Sequence, residues 1–314
     1  YLYLTKNNFK KFDVVLLTDH RYVDPKEENQ YIKNVLKEDN LVLKALDKLG
    51  LNTTKRDWND PNFDWNSTKV ALFRSTWDYF DRFSEFRNWL DKVKTQCSLI
   101  NSYDQINWNL DKHYLNDLKQ WGIPIPNSHF IDKKSNQSLL DITNELLWNE
   151  IVIKPTISGA ARHTYRLKKE ELSSFENQWK QLIKNEDFIL QEFQNNILKK
   201  GEIAIMIFGG EFTHSVLKKA KPGDFRVQDD FGGSVEKYQP TKEIIALAKK
   251  TVQILNPVPA YARVDIIWDN DMQPVVSELE LIEPELWFRL NENAADQLAL
   301  TIKEFLNNSS RSTI

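Results

Sequence analysis

The chain has 314 residues, 41% hydrophobic, 12% aromatic and 28% charged, a composition that buries a sizeable core and excludes a disordered chain. Its 42 Lys and Arg against 45 Asp and Glu leave a formal net charge of −3, without the basic excess that wrapping a nucleic-acid backbone or an anionic membrane requires. A single cysteine, Cys97, excludes an internal disulfide and a cysteine-based zinc site, and no apolar run approaches the ~20 residues of a membrane-spanning helix. A reducing cytoplasm is the expected setting, and roughly 100–200 residues per domain suggests about two domains.

Residues 14–17 (Val-Val-Leu-Leu) predict a short buried strand ending at Thr18-Asp19. A helix follows, with Val42, Ala45, Leu46 and Leu49 on one stripe and a stop at Gly50. Residues 70–73 predict a second strand, running into Arg74-Ser75-Thr76-Trp77-Asp78-Tyr79, and Leu99-Ile100 a third; alternating βα units imply a small parallel sheet. A second segment opens near Asn109. Residues 111–121 read as a helix stopped by Gly122, 123–126 as an extended connector, 151–154 as a strand closed by Pro155, 170–183 as a helix and 188–193 as a strand. In the third segment, strands at 203–208 and 212–217 flank Gly209-Gly210, a hairpin signal because a type I′ turn needs positive φ twice. A helix carrying Ile244, Ala248 and Val252 comes next. Strands at 261–268 and 275–280 are joined through Asp269-Asn270-Asp271, and a helix at 294–306 closes the chain.

Side chains alternate along a strand, so Glu278 and Glu280 share a face, as do Arg263 and Asp265 on the preceding strand. If these strands pair across 269–271, Asp265 lies near Glu278. Three converging carboxylates repel unless a cation sits between them, and hard oxygen ligands suit Mg²⁺, which shares its remaining positions with phosphate oxygens and water. A solvated acidic sheet face is the alternative. Five of the nine glycines fall between Gly209 and Gly233, around Lys218-Lys219-Ala220-Lys221-Pro222-Gly223-Asp224-Phe225-Arg226. Basic side chains on a mobile loop suit nucleotide phosphates, or form an exposed basic hairpin. Neither G-x-G-x-x-G nor G-x-x-x-x-G-K-[ST] occurs. Lys154, ending an apolar strand beside Thr156-Ile157-Ser158-Gly159-Ala160-Ala161, reads as a phosphate clamp or as a lysine snorkelling at a strand end.

In this order the residues resemble the ATP-grasp superfamily, in its glutathione-synthetase and RimK-like branch, and within it the O-ureido-serine cyclo-ligases of cycloserine synthesis. The resemblance runs from Asp111-Lys112 through Ile153-Lys154-Pro155, Leu190-Gln191-Glu192-Phe193, Gly201-Glu202 and Gly223-Asp224-Phe225-Arg226 to Arg263-Val264-Asp265 and Glu278-Leu279-Glu280, covering residues 109–290. The segment 74–79 resembles part of the small domain that precedes the ATP-binding part. The implied fold class is α/β (α+β), an ATP-grasp fold with an N-terminal parallel-sheet domain. Residues 1–108 would form that substrate domain, 109–190 a lid subdomain and 191–314 a C-terminal subdomain with the metal site.

The same resemblance implies ATP and Mg²⁺ as cofactors. Lys112 and Lys154 would grip the phosphates, with Ser158 and Gly159 in the adjoining loop. The backbone of Gln191, Glu192 and Phe193 would bind adenine, with Glu202 in the same nucleotide-binding set. Arg226 and Arg263, joined by Lys218, would face the transferred phosphoryl group. Asp265, Glu278 and Glu280 would hold Mg²⁺, although many relatives have Asn where Glu280 stands.

The implied reaction is an ADP-forming ligation in which a carboxylate takes the γ-phosphoryl group and an amine attacks the acyl phosphate, chemistry that rests on positioning and electrostatics. That agrees with the absence of a nucleophile elbow or a histidine pair with metal spacing. The expected partners are a small amino-acid-like carboxylate and an amine, without nucleic acid or membrane; a homodimer stays open. A RimK-like ligase modifying a peptide or protein, and a non-catalytic nucleotide-binding module, are the competing readings. Arg74 follows an apolar strand at the carboxyl end of a parallel sheet, where ligands gather, so it is expected to bind a substrate carboxylate with Trp77, Asp78 and Tyr79 shaping the pocket; a buried Arg74–Asp78 pair is the alternative. Residues 283–288 either line the acceptor site or form a capping turn. His163 and His214 read as structural, and Cys97 as packing.

Overall fold

A computed structural model describes residues 10–26, 29–159, 161–221 and 232–311 of the chain. The first sheet is parallel, in the order β2-β1-β3-β4, from β1 (Phe12–Thr18), β2 (Thr53–Asp57), β3 (Thr68–Ser75) and β4 (Ser98–Ile100). Strands β1 and β3 are nearly continuous buried runs, as central parallel strands covered on both faces must be. Strand β2 was not apparent from apolar runs: it reads Thr-Thr-Lys-Arg-Asp, lies at the sheet edge and is half-buried throughout. Helix α1 (Gln30–Lys48) starts where the Asn29 side chain accepts from the Ile32 N–H, and it buries Val42, Ala45 and Leu46. Gly50, at φ +75°, follows its end. Helix α2 (Phe83–Val93) sets Phe86, Trp89 and Leu90 into the core on the other face.

Two short helices, α3 (Tyr103–Asn109) and α4 (Tyr114–Gln120), lead into a second, antiparallel sheet. It comprises β5 (Ser128–Ile131), β6 (Glu150–Pro155), β7 (Tyr165–Lys168) and β8 (Phe188–Glu192) in the order β5-β8-β6-β7, covered by α5 (Leu139–Leu146) and α6 (Leu172–Leu182). The helix expected over 111–121 begins only at Tyr114. Asp111 instead closes a turn by accepting from the His113 N–H at 3.0 Å, and the Lys112 N–H donates to the Thr156 carbonyl at 2.9 Å. A helix starting at Asp111 would leave the Lys112 N–H without an intrahelical partner, and the bond to Thr156 instead ties Lys112 to the end of β6.

The third sheet follows α7 (Ile197–Lys200) and is antiparallel, in the order β11-β10-β9-β12-β13. Its strands are β9 (Glu202–Phe208), β10 (Glu211–Lys219), β11 (Ser234–Lys237), β12 (Tyr261–Trp268) and β13 (Pro274–Glu280), with α8 (Lys242–Gln253) and α9 (Asn293–Arg311) packed against it. Gly209 and Gly210 have φ of +58° and +83°, as the hairpin turn requires. Strand alternation separates two cores. Ile203, Ile205 and Ile207 face α8, whereas Ala204, Met206 and Phe208 join Val14, Leu16 and the inner face of α9. The third sheet therefore shares a core with the first. The molecule is mixed α/β with one parallel and two antiparallel sheets, and no described helix is long and apolar enough to cross a membrane.

Candidate active site

Strands β12 and β13 pair with Arg263 opposite Glu280 and Asp265 opposite Glu278, so period-two alternation projects all four side chains from one face. That face lines a cleft of about 610 Å³ to which the second and third sheets and the segments following β1 and β3 contribute. Carboxylate oxygens of Asp265, Glu278 and Glu280 lie within 4.8 Å of one another. The cations that such a cluster requires are supplied in part by the protein itself. Arg263 donates from Nε to Asp265 Oδ1 at 3.0 Å and from Nη2 to Asp265 Oδ2 at 2.9 Å, and Nη2 also bonds Glu280. Lys218 Nζ bridges Asp265 Oδ2 at 3.0 Å and Glu202 Oε1 at 2.5 Å. Lys112 Nζ donates to Glu278 Oε1 at 2.8 Å and to the Ser158 carbonyl at 3.2 Å.

Lys218 corrects one expectation. It does not ride on a mobile loop but ends β10, and it is only 4% exposed. Gly223, Asp224, Phe225 and Arg226, and Ala160 in the small-residue loop, lie outside the described residues. Gly201, at φ +73°, explains the Gly201-Glu202 pair: a Cβ there would sit 2.3 Å from the Lys218 carbonyl, so glycine alone lets the strand entry approach Lys218. Gly159 likewise abuts Phe80, whose ring would meet a Cβ at 2.6 Å.

Charges in the cleft are strongly perturbed. Burial alone would raise the Glu278 carboxyl, but Lys112 and Lys154 outweigh it and hold it well below the usual carboxylate range. Burial dominates at Glu280, pushed up to about 7 despite Arg263, and at Glu283, pushed up to about 8 by burial and the neighbouring Glu280. Lys154 is the counterpart on β6. It is half-buried, burial lowers its affinity for a proton, and among the described residues it has no hydrogen bond or ion pair.

Gln191, Glu192 and Phe193 form one wall of the cleft at the end of β8. Their polar groups are partly engaged: Gln191 Nε2 donates to Ser128 Oγ, Glu192 accepts from Asn127 Nδ2, and the Phe193 N–H donates to the Glu150 carbonyl. Gln194, absent from the expected set, lines the same wall; it donates to the Glu192 carbonyl at 2.8 Å and accepts from the Asn270 N–H at 2.7 Å.

At the opposite end the connection after β3 contributes Trp77 and Tyr79, as expected, but Arg74 and Asp78 do not line the cleft. Arg74 is buried beneath the segment after β13, where Nη1 donates to the Pro284 carbonyl at 3.3 Å and the guanidinium lies 5.2 Å from the Phe288 ring centre. Asp78 accepts from Trp58 Nε1 at 2.7 Å and pairs with Arg82 at 3.1 Å. The alternative Arg74–Asp78 pair is therefore not formed either. The distance from sheet to cleft is taken up by the 283–288 segment, which comes between Arg74 and any ligand. Arg21, Tyr22 and Tyr31 also line this end, with Trp77 5.7 Å from Tyr22 and 6.3 Å from Tyr31 between ring centres. No sequence pattern marked them, because they sit in a polar connector and at a helix start.

Residues 111–286, more than half of the chain, match the RimK-like ATP-grasp domain. The chain belongs to the RimK-like ATP-grasp family. It is an ATP-dependent carbon–nitrogen ligase. Residues 14–101 match the family described as the N-terminal domain of D-cycloserine synthetase DcsG. The cycloserine biosynthesis protein DcsG of Streptomyces lavendulae is 27% identical over 281 residues, covering 84% of this chain and 92% of that protein. The crystal structure of D-cycloserine synthetase DcsG has a TM-score of 0.82 at 25% identity, over 93% of this chain and 99% of that one. D-alanine–D-alanine ligase from Bacillus anthracis shares the fold, with a TM-score of 0.65 at 14% identity over 96% and 100% of the two chains.

The remaining candidates in this ATP-grasp ligase are structural. His163 is exposed and does not line the cleft, and Cys97 is buried with its thiol pushed up to about 12. His214 Nε2 lies 2.8 Å from the Leu286 carbonyl and Nδ1 2.9 Å from Thr213 Oγ1, which suits a neutral imidazole that donates to the first and accepts from the second. Burial pushes it down to about 4. The unfolded chain takes up this proton from about pH 6.5 downward and the folded chain only near pH 4, so stability is lost as pH falls through that window, by up to roughly 3 kcal/mol. His214→Gln keeps a donor without the titration and is expected to flatten this limb, as urea unfolding from neutral pH to about pH 4.5 would show.

Proposed function

We propose that this ligase phosphorylates a small amino-acid-like carboxylate with Mg²⁺-ATP and passes the acyl phosphate to an amine, releasing ADP and phosphate. The observation that carries the reading is Lys154. Glu202, Asp265, Glu278 and Glu280 are each bonded to Lys112, Lys218 or Arg263, which leaves Lys154 as the cleft-wall lysine that feels Glu278 only at longer range and has no bonded partner among the described residues. A half-buried ammonium without a partner favours an incoming anion, and a phosphate chain supplies one.

Lys112 and Lys154 then take the phosphates, with Ser158 and Gly159 beside them, while Gln191, Glu192 and Phe193 edge the adenine and Glu202 holds Lys218 in place. Lys218 and Arg263 stabilise charge on the transferring group, a role that Arg226 shares by family resemblance. The donor set fits Mg²⁺: Asp265, Glu278 and Glu280 present hard oxygens within 4.8 Å of one another. Mg²⁺ bound there neutralises phosphate oxygens as charge shifts during transfer. The cleft lining carries eight carboxyl groups against five Lys and Arg side chains, so a polyanionic nucleotide is best accommodated together with its own divalent ion.

The division into residues 1–108, 109–190 and 191–314 belongs to this proposal, with the first carrying the substrate end. The resemblance of 14–101 to the DcsG N-terminal domain supports a small substrate, since D-cycloserine is itself a cyclic amino-acid derivative. A cytoplasmic setting, where ATP is at hand, completes the reading.

The deciding assay measures ADP, phosphate and AMP from Mg²⁺-ATP with pooled amino acids, then dipeptides. ADP that appears without AMP, and only when both a carboxylate and an amine are present, is the expected result. AMP formation would overturn the acyl-phosphate mechanism, and release only with peptides would move the substrate to the peptide class.

A further inference from the structure

Among the carboxylates of the inner cleft, Glu283 stands apart. Glu202, Asp265, Glu278 and Glu280 all have a Lys or Arg within bonding distance, and Glu285 pairs with Arg289 at 2.5 Å. Glu283 has no salt bridge among the described residues; its side-chain hydrogen bond is with Tyr79, a neutral hydroxyl. The backbone around it is held rigidly. Trp77 Nε1 donates to the Glu283 carbonyl at 2.8 Å, and Arg74 Nη1 to the next carbonyl, Pro284, at 3.3 Å. Glu283, Tyr79 and Trp77 all line the cleft, at the first-sheet end and three residues beyond the acidic strand. A half-buried carboxyl beside a hydroxyl, with no cation bonded to it, ionises most readily when a ligand brings the positive charge itself.

We propose that Glu283, with its side chain beside Tyr79 and its backbone carbonyl held by Trp77, is the subsite that binds the ammonium or amine group of the ligase's nitrogen-bearing substrate. This rests on the carboxylate–amine reading above. The subsite lies beside the acidic strand, so an amine held there is close to the region where the carboxylate would be activated, and the Glu283 carboxylate accepts its N–H hydrogen bonds. Arg74 contributes as a positioning residue, through the Pro284 carbonyl.

Equilibrium dialysis of the full chain loaded with Mg²⁺-ADP tests this, using D-cycloserine, D-serine and D-alanine as ammonium-bearing probes and propionate as the probe without an amine. At least one ammonium probe is expected to bind, and Glu283→Gln to weaken it about tenfold or more while leaving ADP and propionate affinities unchanged. Tyr79→Phe keeps the ring and removes the hydroxyl, and is expected to weaken the same probe several-fold. Because Glu283→Gln removes a carboxylate without a cation, its melting temperature should not fall, which separates a binding role from a structural one. Equal binding of the ammonium probe by wild type and Glu283→Gln overturns the subsite, as does the absence of binding by every ammonium probe. Failure of ADP itself to bind overturns the nucleotide reading, and the subsite with it, whereas a loss confined to the probes overturns the subsite alone.

Discussion

Glu278→Gln is expected to lower Mg²⁺-ATP turnover by roughly 10²–10³-fold while the protein stays folded. The substitution keeps the shape and one acceptor for Lys112, whose Nζ sits 2.8 Å from Glu278 Oε1, but removes the negative charge. An ion pair becomes a hydrogen bond from the Lys112 ammonium to a neutral amide oxygen, which costs folding about 1–2 kcal/mol. The catalytic loss is larger because one of three converging hard-oxygen donors is weakened, and metal neutralisation of phosphate charge contributes several kcal/mol to a transition state. Two readouts separate these effects. The Mg²⁺ concentration for half-maximal rate should rise, and the melting temperature should move by only a few degrees. Unchanged turnover at limiting Mg²⁺ would remove Glu278 from the metal site.

Arg263→Met has the opposite profile: its first effect is on stability. Arg263 is 8% exposed, bonds both Asp265 and Glu280, and lies 5.4 Å from the Trp287 ring centre. Methionine fills much of the volume but leaves Glu280 without a cation and Asp265 with Lys218 alone. Breaking one side of a buried ion network costs about 3–5 kcal/mol, and a melting-temperature drop of order 10 °C is expected. Turnover should fall below detection if the guanidinium stabilises the transferring group as proposed.

The sign of the pH effect follows from Glu280. Burial has already pushed its carboxyl up to about 7, and losing Arg263 pushes it further in the same direction. A carboxyl raised in the folded state destabilises when ionised, fully above its folded value and not at all below its unfolded one. The stability gap between wild type and Arg263→Met should therefore narrow as pH falls from about 8 to about 5, as denaturant unfolding at both ends would show. A gap that is constant with pH would place the cost in lost packing instead.

Much of the site's frame is legible from residue order alone. Alternation along 261–268 and 275–280, with a short polar connection, leads to Asp265 opposite Glu278 without any knowledge of the rest of the chain. The Gly209-Gly210 hairpin, the strand ending in Lys154 and the helix stripe of α8 are local in the same sense: each depends on neighbours within a few residues. Strand β2 carries no apolar run because an edge strand need not be apolar, and α4 starts late because the Lys112 N–H, which no helical carbonyl would have accepted, is held by the distant Thr156 carbonyl.

What tertiary structure alone decided is the charge pairing. Lys112 meets Glu278 across 166 residues of chain, Lys218 meets Asp265 across 47, and Trp77 reaches the Glu283 carbonyl across 206. The same long-range packing buried Arg74 under the 283–288 segment and brought Tyr22 and Tyr31 to the mouth of the cleft. Periodicity reports which face a side chain takes, because that is set by backbone geometry over a few residues. The identity of a counter-ion is set by which distant elements share a core, and here Ala204, Met206 and Phe208 join the first and third sheets into one.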